Sequence, residues 1–227
     1  MAAIPLEDEI YYPESDGKPM GETQLHQQEI VYLIQALDER FRDTPDVLVA
    51  GDLLFYYVQG DPTSMVVPDV FVVHGIPKGL REKYLLWQEG RAPGFVVEVT
   101  SKSTRRKDMT FKKELYERLG VTEYFLFDPL REYLRPPLQG FRLFDHRYRP
   151  IRPEPDGSLV STVTGLAFGL EGNRIRARDA AAGAPLLRRE EYERKAAAEA
   201  EARNQAEERV RALEAEIARL RGDSGRG

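Results

Sequence analysis

Two apolar, strand-like runs flank a helix-like segment in the middle of the chain, and this order constrains the fold more than any other feature. The runs are Gly94–Thr100 and Val121–Phe127. Between them, about Thr104–Leu119 carries apolar residues at three- and four-residue steps, and Gly120 suits a helix end. A helix of this length between two strands predicts a crossover that joins parallel strands. The chain is therefore expected to contain a parallel strand pair covered by a helix.

The flanking sequence extends this unit into a mixed sheet with helices around it. Helical spacing of apolar residues predicts a first helix from Gly21 to about Arg42, and two more strand-like runs follow, Val47–Val58 and Met65–His74. The segment Pro77–Arg91 is expected to be a short helix or a lid-like loop. Residues 131–187 favour small hairpins. Their predicted turns lie at Gln139-Gly140, Asp156-Gly157 and Gly172-Asn173. The predicted fold class is α/β (α+β).

The last part of the chain differs in composition. From about Arg188 to Arg221 it is rich in Ala, Glu and Arg and lacks Gly and Pro, which predicts a long helix. Its apolar residues are spaced as in a coiled-coil seam over about two heptads. They are Val210, Leu213, Ile217 and Leu220. We expect a globular domain over residues 1–187, a helical tail over 188–227 and a homodimer, although the tail could also pack on its own domain or remain loose.

Composition excludes several classes of site. The 227 residues include no cysteine, so disulfides, zinc-thiolate sites and a cysteine nucleophile are excluded. No signal peptide or run of about 20 apolar residues is present, so a cytoplasmic protein without a membrane contact is expected. The net charge of -5 does not favour broad nucleic-acid binding. A local basic cluster could still bind phosphates, or simply form a solvated helix start. Its members are Lys102, Arg105, Arg106 and Lys107, followed by Lys112 and Lys113.

Two carboxylates stand inside runs that would otherwise be buried strands. Asp69 lies in VVPDVFVV, and Glu98 lies in GFVVEVT. An unpaired carboxylate in such a place costs on the order of several kcal/mol, so each should be paired, protonated or bound to a metal. The alternative is that each acid lies at a solvated strand end.

The central helix directs a basic group toward these acids. On a wheel of about 100° per residue, an apolar arc contains Asp108 and Lys112 at its middle. The arc is formed by Met109, Phe111, Leu115, Tyr116 and Leu119. Lys112 should therefore point at the sheet and needs an anionic partner there. A buried ion pair with Asp108 or Glu98 would satisfy it without any catalytic role.

Two carboxylates and one ammonium group form a set suited to phosphodiester hydrolysis. Hard oxygen ligands in this number suit Mg²⁺ or Mn²⁺, and the lysine could orient or deprotonate water or stabilise charge on the phosphate. On the first helix, Glu22 and His26 could support the metal from its second shell or position water. Alternatively, His26 is an ordinary core residue.

Three pieces of the chain resemble the Uma-two family of endonucleases, which belongs to the PD-(D/E)XK, or restriction-endonuclease-like, superfamily. They are DGKPMGETQLHQ, VVPDVFVV and GFVVEVTSKSTRRKDMTFKKELYERLGVTEYFLFDP. The resemblance extends from about Tyr11 to Leu170. It implies a mixed central sheet flanked by helices, with a divalent-metal site at the edge of the sheet. A helical, Ala/Glu/Arg-rich tail is also similar to that of some members.

The resemblance also implies roles for particular residues. Asp69 corresponds to the acid of the PD motif, and Glu98 to the acid of the (D/E)XK strand. Thr100 stands where that motif has its lysine, and the lysine appears on the following helix as Lys112. Glu22 would correspond to the helix-borne acid of the first motif, with His26 beside it. The family pattern also includes Tyr116, which we interpret as a packing residue, and Asp128, which we interpret as a turn residue at the end of a strand.

The leading hypothesis is a metal-dependent endonuclease, with DNA a better candidate substrate than RNA. An inactive scaffold with the nuclease fold is the alternative, in which the tail mediates assembly. A hydrolase of another phosphate ester is a third possibility that the residues leave open. The expected metal is Mg²⁺ or Mn²⁺, bound by Asp69 and Glu98 with help from Glu22.

Overall fold

This computed structural model describes residues 11–13 and 23–223, which contain both helices and strands. The helices are α1 (Gln24–Arg40), α2 (Leu86–Glu89), α3 (Arg105–Lys107), α4 (Lys113–Leu119) and α5 (Arg189–Asp223), with a π-helical turn, Asp108–Lys112, between α3 and α4. The strands are β1 (Val47–Ala50), β2 (Phe55–Tyr56), β3 (Met65–Val66), β4 (Val70–His74), β5 (Tyr84–Leu85), β6 (Phe95–Val99), β7 (Glu123–Phe127), β8 (Leu138–Phe144), β9 (Arg147–Pro150), β10 (Leu159–Val160), β11 (Leu166–Glu171) and β12 (Arg174–Asp179).

The central sheet has six strands in the order β1-β4-β6-β7-β8-β9. Strands β6 and β7 are parallel, with Glu98 opposite Leu126, and the other neighbouring pairs are antiparallel. The helical segment Arg105–Leu119 connects the parallel pair, which confirms the predicted crossover. The mixed α/β class is also confirmed. Two small sheets, β10-β11-β12 and β3-β2-β5, pack around the central one.

The sheet separates two apolar layers. On one face, Leu33 and Leu37 of α1 pack with Val70 and Val97 of the sheet. The opposite face is covered by the helical segment Arg105–Leu119, called the second helical segment below, and by the small β3-β2-β5 sheet. Its buried members include Phe55, Phe71, Val96, Leu115, Tyr116 and Tyr124. Each such side chain contributes roughly 1.5–3 kcal/mol through burial, so these layers fix the strands whose ends carry the acids.

Two predicted strands are each broken, and the break lies beside an acid of interest. The predicted run Val47–Val58 divides into β1 and β2 in different sheets, and Met65–His74 divides into β3 and β4. A Cβ on Gly51 would lie 2.6 Å from the carbonyl oxygen of Asp69, so only glycine allows this close approach. Pro68, which has no N–H to donate to a ladder, lies at the second break.

One predicted turn is wrong. Gln139-Gly140 lies inside β8, and the chain reverses instead at Asp145-His146, where both residues have positive φ values of 49° and 60°. A side chain at Gly140 would contact Ile151, Leu159 and Phe125, with Cβ distances of 3.2 Å. Gly140 therefore allows close packing in the core and does not form a turn. The turns at Asp156-Gly157 and Gly172-Asn173 are confirmed.

The structure also bears on three smaller predictions, which concern the segment Pro77–Arg91, Asp128 and the start of the first helix. The segment Pro77–Arg91 contains the short strand β5 and one turn of helix, α2. Asp128 accepts hydrogen bonds from the backbone N–H groups of Leu130, Tyr133 and Leu134, which confirms its role as a turn residue. The predicted start of the first helix near Gly21 lies outside the described residues, and α1 begins after the N-cap residue Thr23.

The chain forms two compact units, Met1–Leu186 and Leu187–Gly227. The second unit contains the predicted long helix as α5. Three seam residues of that helix are about half exposed: Val210, Leu213 and Ile217. In the described parts of the chain, no helix is both long enough and apolar enough to cross a membrane.

Candidate active site

Asp69 lies where the chain enters β4, beside the end of β6. Its Oδ2 accepts a hydrogen bond from the backbone N–H of Val99, with an N–O distance of 2.7 Å. The backbone N–H of Asp69 donates to Glu98 Oε2 at 3.4 Å. The side chain keeps 17% of its surface exposed, so solvent still reaches the carboxylate. Burial and then the negative charge of Glu98 raise the pKa of Asp69 well above its ordinary value.

Glu98 lies on β6 and is fully buried. Its Oε2 accepts a hydrogen bond from Lys112 Nζ at 2.7 Å, and its Oε1 accepts one from the hydroxyl of Tyr116 at 2.9 Å. Burial raises the pKa of Glu98 to about 7, although the charge of Lys112 opposes this shift. Near neutral pH the carboxyl group therefore lies between its neutral and charged forms, and a nearby cation would favour the charged form.

Lys112 reaches the acids from the helical side, at the last residue of the π-helical turn. Besides Glu98, its Nζ donates to the carbonyl oxygen of Val67 at 3.0 Å and lies 3.4 Å from Asp108 Oδ1. Burial lowers the pKa of Lys112, but the charges of Glu98, Asp69 and Asp108 outweigh that effect and raise it above its ordinary value. The buried amine is therefore an ammonium group at neutral pH.

The helical wheel placed two residues wrongly. Met109 and Phe111 were expected on the buried arc, but each is 43% exposed. A π-helical turn closes with i→i+5 hydrogen bonds, so a wheel of about 100° per residue does not apply across it. Asp108 and Lys112, which the wheel placed toward the sheet, are both buried as predicted.

The first helix brings one predicted residue to the acid pair. His26 is buried on α1, and its Nε2 lies 3.8 Å from Asp69 Oδ2, which is too long for a hydrogen bond. Burial and then the charge of Lys112 lower the pKa of His26 to about 4, so the ring is neutral at neutral pH. Glu22 lies outside the described residues. Its predicted role at the metal, and that of His26 in positioning water, stay predictions.

The basic cluster, defined as Lys102, Arg105, Arg106 and Lys107, is exposed at the start of the second helical segment. The guanidinium carbon of Arg105 lies 5.1 Å from the ring centre of Tyr133, and Lys107 Nζ lies 5.9 Å from that of Phe111. Two of the four charges therefore lie beside aromatic rings.

Sequence reasoning assigned too small a role to two residues of this region. Tyr116 was interpreted as a packing residue, yet its hydroxyl group binds Glu98 directly. Thr100 was noted only as the replacement for a lysine. It is buried, and its Oγ1 has no hydrogen-bond partner among the described residues. Because Thr100 follows Glu98 by two positions, both side chains lie on the same side of the strand.

Asp52 was missed altogether. It follows Gly51 at the strand break, has a positive φ of 51°, and donates its backbone N–H to the carbonyl oxygen of Pro68 at 3.2 Å. Burial raises the pKa of Asp52, and the charge of Lys112 opposes that shift, so the carboxylate lies within electrostatic range of the site. An acid next to a glycine inside an apolar run was the available signal.

The donor set fits a hard divalent cation. Asp69 and Glu98 bring carboxylate groups to neighbouring strands, where the backbone N–H of Asp69 reaches Glu98 Oε2, and the Oγ1 of Thr100, which has no partner among the described residues, adds a buried polar atom nearby in sequence. Within residues 11–13 and 23–223, no group of three or more His, Asp or Glu side chains is arranged to hold an ion without help. Mg²⁺ commonly uses only one or two carboxylates and completes its shell with water and substrate phosphate.

Comparison with known proteins identifies the family. The family model described as "Uma2: Putative restriction endonuclease" matches residues 4–178. Among solved structures, the chain is similar to that of a putative nuclease belonging to DUF820 from Anabaena variabilis ATCC 29413. The identity is 16% and the TM-score 0.47, over 65% of this chain and 76% of the other. No curated protein matches. Because the family match spans most of the 227 residues, the chain belongs to the Uma2 family, whose description is that quoted above.

Proposed function

We propose that this protein is a Mg²⁺- or Mn²⁺-dependent endonuclease that hydrolyses phosphodiester bonds in DNA. One observation carries the proposal. Asp69, Glu98 and Lys112 come from three separate segments, yet they meet in one chain of contacts of 2.7–3.4 Å where β4 begins and β6 ends, and Asp69 joins it through its backbone N–H. Three polar groups of this kind in an apolar layer have an energetic cost, which a catalytic site would explain.

Asp69 and Glu98 are the residues that would hold the cation. When bound, such a cation lowers the pKa of a water molecule and polarises the phosphate. Asp69 is suited to this position because it is reached by solvent while Val99 fixes one of its oxygens. Glu98 is suited to it because Tyr116 fixes Oε1, so that Oε2 has a defined position.

Lys112 would supply a positive charge and would not act as a general base. Its raised pKa means that the amine keeps its proton at neutral pH, so it cannot accept one from water there. An ammonium group so placed would stabilise the negative charge that develops on the phosphate, or orient the attacking water. His26, which is neutral at neutral pH, is left with positioning as its proposed role.

The choice of DNA as the proposed substrate is supported by the family description and by the basic cluster. Lys102, Arg105, Arg106 and Lys107 are exposed, would contact phosphates from the start of the helical segment Arg105–Leu119, and are close in sequence to Lys112. Phosphate contacts provide affinity without sequence specificity. This local surface can function although the whole chain has a net charge of -5.

Cleavage of supercoiled plasmid DNA with Mn²⁺ or Mg²⁺ tests the proposal. Wild type should nick the plasmid, whereas Asp69→Asn, Glu98→Gln and Lys112→Met should each lower the rate about 100-fold or more. Asp145→Asn is the matched control, because it removes one carboxylate from an exposed turn and should cleave like wild type. Equal rates for wild type and all three site variants would contradict the proposal, and parallel assays on RNA test the choice of substrate.

An inactive scaffold with the same fold is the second candidate. It is favoured by the fact that Glu98 already has two hydrogen-bond donors, so that the site is satisfied as a buried ion pair. This candidate predicts that the folded chain takes up no Mn²⁺ and cleaves none of the phosphate esters offered. Measurable uptake that depends on Asp69 and Glu98 would exclude it.

We also propose that the tail pairs with the tail of a second copy. Val210, Leu213 and Ile217 follow the spacing of a coiled-coil seam and are about half exposed on α5. A helix that exposes such a stripe is typical of one that pairs. The resulting protein would be a homodimer.

A further inference from the structure

Asp108 presents a problem that the proposed reaction does not explain. It is 1% exposed, and neither of its carboxylate oxygens makes a well-formed hydrogen bond within the described residues, although the side chains of Thr104 and Lys112 lie near enough to oppose the rise in its pKa that burial causes. Buried carboxylates are normally hydrogen-bonded or paired at close range, because removing them from water is costly. The one ion pair seen for Asp108 here is the 3.4 Å contact between its Oδ1 and Lys112 Nζ. The side chain thus lies next to a cation that binds another acid more closely.

The backbone, in contrast, is firmly held. The hydroxyl group of Tyr124 donates to the carbonyl oxygen of Asp108 at 2.9 Å. The π-helical turn begins at Asp108 and ends at Lys112, and these two residues are its buried members. π-Helical turns within α-helices occur frequently at functional sites. The turn therefore keeps a poorly satisfied carboxylate beside the lysine.

Lys112 has two anionic neighbours and a strong preference for one. Its Nζ lies 2.7 Å from Glu98 Oε2 and 3.4 Å from Asp108 Oδ1. If Glu98 directs Oε2 to a divalent cation, the ammonium group cannot stay on the same oxygen, because two positive charges at that distance repel strongly. A buried ammonium group that loses its anion is costly as well. The nearest other carboxylate is that of Asp108.

We propose that Asp108 is a positioning residue that receives the ammonium group of Lys112 when Glu98 turns to a bound divalent cation. The inference rests on the proposed function, since it needs a cation at Asp69 and Glu98. No covalent bond or proton changes place, and only the partner of the ammonium group changes. Asp108 in this way keeps Lys112 inside the site and lowers the cost of binding the cation.

Titration of the full chain with Mn²⁺, followed by calorimetry, tests this role. Asp108→Asn keeps the size of the side chain and removes its charge, so Mn²⁺ should bind about 10-fold more weakly or worse. Asp145→Asn removes the same charge from an exposed turn and should bind as wild type does. Equal affinity for Asp108→Asn and wild type would overturn the inference and leave the proposed function intact. A wild type that binds no Mn²⁺ would overturn both.

A crystal structure of the wild type with Mn²⁺ gives a second test that does not require any variant to fold. It should show Lys112 Nζ within about 3.0 Å of an Asp108 oxygen and no longer bonded to Glu98 Oε2. Lys112 retained on Glu98 beside the bound ion, or Asp108 bound directly to that ion, would overturn the inference.

Discussion

At the scale of single residues, Glu98 is central because Asp69, Lys112 and Tyr116 all contact it. Lys112 and Tyr116 donate to its two oxygens, and the backbone of Asp69 approaches it. The cost of keeping this group in an apolar layer appears as its pKa of about 7. Stability should therefore depend on pH through this residue.

The sign of that dependence follows from the direction of the shift. A carboxyl group whose pKa is higher in the folded than in the unfolded chain stabilises the fold below its unfolded pKa of about 4.5. That contribution is lost as the pH rises through 7. Without metal, the stability of wild type relative to Glu98→Gln should fall by on the order of 1–3 kcal/mol between pH 4.5 and 7.5.

Urea unfolding of both proteins at several pH values measures this difference. His26 contributes in the opposite sense, because its lowered pKa reduces stability as the pH falls from about 6.5 to 4. Both proteins contain His26, so its effect cancels in the comparison, whereas the charge of Glu98 also raises the pKa of Asp69 in wild type and adds to the fall in the same direction. A difference in the free energy of unfolding that stays constant, or that grows in favour of wild type as the pH rises, would show that the pKa of Glu98 is not raised in the folded chain.

Residue patterns identified the acids and the lysine but not their full surroundings. Alternation along strands marked Asp69 and Glu98, because a carboxylate in an apolar run is conspicuous. The wheel directed Lys112 inward. The hydrogen bond from Tyr116 and the poorly satisfied state of Asp108 could not be predicted, because both depend on side-chain positions to within an ångström.

At the scale of elements, the site depends on a strand break and a π-helical turn. The backbone at Gly51 approaches Asp69 closely, since a Cβ there would lie 2.6 Å from the carbonyl oxygen. Periodicity predicted continuous strands and a regular helix, because it depends only on the order of polar and apolar side chains. It contains no information on how closely two backbone segments approach, or on the extra residue that a π-helical turn adds to a helix. The central strands, the crossover and the long tail helix, whose patterns are regular, were predicted well.

Substitution of Gly51 by alanine tests the strand break. The added methyl group must displace the backbone of Asp69, so Gly51→Ala should lower the free energy of unfolding by about 1–3 kcal/mol. Gly169→Ala is the matched control, because its nearest contact would be an ordinary 3.6 Å. Chemical denaturation gives both values. A loss for Gly51→Ala no larger than that of the control would mean that the close approach is not required.

At the scale of the whole molecule, the two compact units have different properties. The first has an apolar core on both faces of its sheet, whereas the second is a 35-residue helix with an exposed apolar stripe. A seam of about two heptads is short, so the balance between one and two copies should depend on concentration.

Measurement of mass in solution tests the proposed pairing. The full chain should have the mass of two copies at high concentration, and Leu213→Glu should reduce it to one, because a buried charge in the seam is costly. Ala212→Glu places the same charge at the adjacent position, off the seam, and should remain a dimer. A wild type that stays a single copy at every concentration, or a Leu213→Glu variant that still pairs, would contradict this part of the proposal.

Binding of Mn²⁺ separates a metal site from a plain buried ion pair, because the proposed function requires Asp69 and Glu98 to hold one divalent cation together. The signal of free Mn²⁺ in electron paramagnetic resonance measures how much of the ion the protein takes up. Wild type should bind one ion per chain at this site, and both Asp69→Asn and Glu98→Gln should lose it while remaining folded. Uptake of Mn²⁺ that is unchanged in both variants, or absent from a folded wild type, would contradict the proposed metal site.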